Sequence, residues 1–99
     1  MSRFVVFALL VAGCAPPPPH ATASDAIRAS VDLATLEHGR TLLVGKCGGC
    51  HTPPQPTAHT PAEWPARLDE MAARSDLAPA QRAAIQQYLL AVLSRPAAR

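Results

Sequence analysis

Prolines decide which parts of this chain can become regular structure. Residues 16–19 are four consecutive prolines, Pro53, Pro54 and Pro56 crowd a second region, and Pro61, Pro79 and Pro96 stand singly. Proline has no N–H and its ring clashes with the preceding helical turn, so dense regions are loops or extended chain and single prolines mark helix limits. Between them lie three helical patterns. Residues 33–46 read as a helix with Leu36 and Leu43, and Leu42 nearby, on a face that runs on to Cys47. Thr60-Pro61-Ala62-Glu63 has the form of a capping box with Pro at the first helical position, and Trp64, Leu68 and Met71 then fall at i, i+4 and i+7. Ser75-Asp76-Leu77-Ala78-Pro79 separates that helix from a last one over about residues 80–94, with Ile85, Tyr88, Leu89, Val92 and Leu93 on its inner face. No strand signal or internal repeat is visible, so the expected class is all-α.

The amino terminus reads as an address. Ser2-Arg3 precedes the apolar run Phe4-Val5-Val6-Phe7-Ala8-Leu9-Leu10-Val11, and Ala12-Gly13 supplies small residues at a cleavage point. The run is too short to span a bilayer, which takes about 20 residues. Val11-Ala12-Gly13-Cys14 resembles the bacterial lipobox. That resemblance implies that residues 1–13 are a signal peptide and that Cys14 is acylated and becomes the mature amino terminus. Ala15 after Cys14 favours outer-membrane sorting in a Gram-negative cell. The four prolines and the small polar residues after them read as an unfolded linker over residues 14–30, with His20 solvated.

Roughly seventy residues then remain to fold, a size at which a protein core alone is marginal. One Trp and one Tyr are the only aromatics outside the signal, so a large apolar cofactor would supply missing core. Of nine Lys and Arg, Arg3 lies in the signal, leaving eight scattered against seven Asp and Glu. A basic run with interleaved aromatics is missing, which argues against nucleic acid as a partner.

Cys47-Gly48-Gly49-Cys50-His51 fits C-x-x-C-H, the attachment pattern of c-type haem. Two thiols bond to the two vinyl groups of the porphyrin and the adjacent imidazole reaches the iron. Gly48 and Gly49 leave room for the ring beside the backbone. A zinc site would need further thiols, and no Cys follows Cys50. A redox dithiol would call for a βαβ setting that is missing. One lipid anchor and two thioethers use all three cysteines.

Over residues 32–95 the chain resembles the class I cytochrome c domain. The resemblance rests on the C-x-x-C-H motif, on Gly39 eight residues before it and on Tyr88 in the last helix. It implies a small bundle of about three helices, within residues 31–99, wrapped round one covalently bound haem c. In that family the first and last helices cross closely where Gly39 faces Tyr88. Leu43 stands where the family commonly has an aromatic.

Cys47 and Cys50 are thus the expected cofactor-binding residues and His51 the expected iron ligand. The family's second iron ligand is a Met sulfur, and Met71 is the only Met beyond the signal. Its interval from His51 is short and no Pro follows it. His59 and His38 are the rival ligands, and an open iron is the remaining option. Trp64 is open to two roles, core filler or N–H donor to a haem propionate. No residue set for hydrolysis or nucleotide binding is present, so the expected activity is electron transfer between redox protein partners rather than enzymatic catalysis. The chain would be a free carrier or a subunit of a larger oxidoreductase, exported and facing the periplasm. The alternative is a haem sensor or peroxidase-like enzyme with an open sixth position, and a non-haem lipoprotein with a Cys47–Cys50 bond ranks third.

Overall fold

The computed structural model of the chain describes residues 16–47 and 52–97. Within them the fold is all-helical: α1 spans Ala23–Ala29, α2 Leu33–Cys47, α3 Trp64–Ser75 and α4 Pro79–Leu93, with a 3₁₀ turn at Pro56–Ala58. No strand occurs among the described residues. The pairing of α2 with α4 is the most extensive, and α1 and α3 also pack on α4.

Three of these helices match the sequence pattern. Leu36 and Leu43 of α2, Trp64 and Leu68 of α3, and Ile85, Tyr88 and Leu89 of α4 are fully buried and form one core. Leu42, Cys47, Met71 and Leu93 are half-buried against it. The α3 capping box forms as expected: Glu63 Oε1 accepts from the Thr60 N–H at 2.9 Å, and Thr60 Oγ1 accepts from the Glu63 N–H at 3.3 Å. Regular helix nevertheless begins at Trp64, later than Pro61. Pro65 has no N–H to donate back to residue 61, so the first turn stays irregular.

α1 corrects the linker reading, because it lies where the chain was expected to be unfolded. Thr22 Oγ1 accepts from the Asp25 N–H at 3.2 Å, and Asp25 Oδ2 accepts from the Thr22 N–H at 2.8 Å. This reciprocal pair caps the helix start. Ser30, in the left-handed region at φ 53°, ends it.

The prolines before α1 are also held. An extended proline run makes no internal hydrogen bonds, so its carbonyls take donors from elsewhere. Gln55 Nε2 donates to the Pro16 carbonyl, Arg40 Nε to Pro18 at 2.9 Å, the Tyr88 hydroxyl to Pro19, and Arg95 Nη2 to His20 at 2.8 Å. The Ala21 N–H donates to Glu37 Oε1 at 2.6 Å. Residues 16–21 are therefore a strap across α2 and α4. His20 is exposed, as expected, yet its Nδ1 lies 3.0 Å from Glu37 Oε2. That contact leads the interactions that hold the Glu37 carboxyl below its usual range.

Asp25, in α1 directly after the strap, ties that helix to Arg95 beyond α4. Its side chain is 1% exposed and meets Arg95 through both oxygens, at 3.0 and 2.6 Å, and Arg28 at 2.6 Å. Arg28 continues to the Ala91 carbonyl at 2.9 Å and Ser94 Oγ at 3.1 Å.

Trp64 is buried, and its Nε1–H donates to the Pro56 carbonyl at 2.9 Å. Of the two roles open to it, the structure gives it the core one. Trp64→Phe leaves that carbonyl without its donor and is expected to lower stability by about 1–3 kcal/mol. The midpoint of urea unfolding measures the loss, and an unchanged midpoint would mean the bond contributes nothing.

Candidate functional site

The feature that positions the candidate site is the crossing of α2 over α4. Gly39 is buried there, and a Cβ built on it would lie 2.1 Å from the Ala84 carbonyl oxygen, 2.7 Å from its carbon and 3.0 Å from Tyr88 Cβ. Only a residue without a side chain lets the two backbones meet at this distance. Tyr88 is fully buried beside it, and burial pushes its phenol up to about 12, so it stays a neutral donor to Pro19.

Two turns beyond the crossing, α2 ends at Cys47. This thiol is half-buried against the core, and burial pushes its pKa up. A redox-active thiol depends on the opposite shift. A Cβ on Gly45 would meet nothing within 4 Å among the described residues, so no described residue crowds that side of the last turn of α2. Met71, in α3, is half-buried against the same core as Cys47. Cys14, Cys50 and His51 lie outside the described residues, as do Gly48 and Gly49.

Of the rival iron ligands, His38 is exposed on α2. His59 is half-buried and sets its ring edge-on to Trp64, with centroids 4.9 Å apart and planes at 89°. Among the described residues no three His, Cys, Asp or Glu converge as a metal site, and no helix is long and apolar enough to cross a membrane.

Of the residues expected to hold a haem, Cys47 and Met71 are described, and both are half-buried against one core. By sequence the motif offers two thiols and an imidazole, Met71 offers a thioether at the margin of that core, and no described residue fills the space at Gly45.

The sequence reading missed Asp25, Arg95, Arg40 and Gln55, which together hold the strap. A signal was available in Thr22-Ala23-Ser24-Asp25, which has the Thr-x-x-acid form of a helix start. Comparison with protein-family models, curated proteins and solved structures finds no match to this chain.

Proposed function

We propose that this chain is a lipid-anchored, one-haem electron-transfer protein similar to the cytochromes c, working at the periplasmic side of a bacterial envelope. The observation that supports it most is the start of Cys47-Gly48-Gly49-Cys50-His51 on the last residue of α2, eight residues past the glycine that lies against α4. Cys47 and Cys50 would hold the haem by thioethers, and His51 and Met71 would ligate its iron. When bound, the group supplies a one-electron ferric/ferrous couple. The chain's own residues set the conditions. The α2–α4 crossing fixes the helix that ends at Cys47, the Leu36, Leu43 and Leu68 core excludes water, and a thioether ligand favours a higher potential than a second imidazole. Cys14 would carry the acyl chains. The donor and acceptor are redox proteins, met by a free carrier or within a larger oxidoreductase.

An optical spectrum, oxidised and then reduced, tests this on protein made in cells competent for haem attachment. The expected result is a covalent c-type spectrum that survives acid-acetone extraction, with the weak iron–thioether band in the oxidised state. Met71→Ala is expected to abolish that band, and its persistence would shift the ligand assignment to another residue. A high-spin spectrum that moves with carbon monoxide would favour the sensor or peroxidase-like reading. Absence of haem, with Cys47 and Cys50 free or paired, would overturn the proposal.

A further inference from the structure

The strap changes how the anchor reaches the domain. Ala21 meets Glu37 and Pro18 meets Arg40, so the strap runs antiparallel to α2, and Pro16 reaches Gln55 in the loop beyond it. Pro18 is fully buried, and the carbonyls of Pro16, Pro18, Pro19 and His20 are each bonded to a side chain of the folded domain. Cys14 is two residues before Pro16, and two residues of fully extended chain span at most about 7 Å. A leash of that reach cannot hold the domain away from a bilayer.

Building on the reading of Cys14 as acylated, we propose that the domain docks directly on the lipid surface with the Cys47 end of α2 and the Gln55 loop toward it. The exposed charges at the two ends of α2 agree with this polarity. Lys46 stands in its last turn, at the lipid-facing end, and Asp32 immediately precedes its first residue, at the far end. A surface of anionic lipid attracts the first and repels the second. The fifteen residues of α2 put about 21 Å between its ends, enough to separate a contacting end from a solvated one. Cys47, the last residue of α2, therefore lies close to the bilayer plane, within reach of a redox partner embedded in the membrane.

The test uses the full chain, purified with its acyl groups and reconstituted in vesicles of phosphatidylethanolamine and phosphatidylglycerol. A benzophenone amino acid is placed at Thr57, exposed beside the Gln55 loop, or at Asp32. Ultraviolet cross-linking to lipid is expected to be several-fold greater from position 57 than from position 32. Ten Gly and Ser residues inserted between Ala15 and Pro16 are expected to reduce that difference while leaving the chain membrane-bound. Equal cross-linking in the acylated parent would overturn the docking and leave the lipoprotein reading standing. Mass spectrometry showing Cys14 without acyl groups would overturn both.

Discussion

Asp25→Ala is expected to lower stability by about 3 kcal/mol, the low end of the range for removing one partner of a buried ion pair. The low end applies because the Arg28 and Arg95 side chains are 30% and 33% exposed and regain water when the carboxylate goes. The loss has three parts: the two-point contact with Arg95, the contact with Arg28, and the acceptor for the Thr22 N–H that starts α1. Urea unfolding of the single and double variants at 25 and 95 gives the coupling between the two. A coupling near zero would mean that the clamp holds nothing.

The same carboxylate sets an acid response. Its hydrogen bonds with Arg95 lower its pKa most, the Thr22 and Arg28 bonds add to this, and burial opposes them. The net result lies well below the usual carboxylate range. A folded-state pKa below the unfolded one stabilises fully above the unfolded value, about 4. That contribution is lost as pH falls through the window beneath it. The expected result is a stability profile that falls below about pH 4 in the parent and is flatter there in Asp25→Asn.

Gly39→Ala is the second large effect. The new Cβ meets the Ala84 carbonyl, which is backbone and moves only if α4 moves. Overpacking of this kind costs about 1–3 kcal/mol, and more where the obstacle is rigid. Alanine's better helix propensity returns at most about 1 kcal/mol. The expected net loss is about 2 kcal/mol, or roughly 8–16 °C in Tm for a domain of this size. Gly45→Ala is the matched control, since the same methyl enters open space in the same helix. It is expected to raise stability by up to about 1 kcal/mol. If both variants behaved alike, the close crossing would be refuted.

Much of this fold was legible in the sequence because periodicity and proline act locally. Leu36, Leu43, Trp64, Leu68, Ile85 and Tyr88 stood on helical stripes, and all are fully buried. The start of α3 came later than Pro61 because a second proline, Pro65, breaks the hydrogen-bond ladder behind a capping box that does form. The strap was not legible. A proline run reads as extended chain whether or not anything binds it, and its donors, Arg40, Gln55, Tyr88 and Arg95, are scattered from Arg40 to Arg95, 55 residues apart. Nothing local ties Asp25 to Arg95, although the capping pattern at Thr22 marked a helix start. The candidate site shows the same division. Its motif is a local pattern, while the room at Gly39 became a distance only once α4 was laid across α2.

The clamp between Asp25 and Arg95 also sets a schedule for biogenesis. Contacts that join residues near both ends of a chain are the last to close, because a long loop must be ordered first. A chain threaded through a secretion channel amino end first delivers residues 16–25 early, but their partners Tyr88 and Arg95 emerge near the end. Until then the strap would lack its Tyr88 and Arg95 donors and would leave α2 without that cover. If the chain is exported as proposed, that interval would leave Cys14 and Cys47 open to modifying enzymes until Arg95 arrives and the clamp closes.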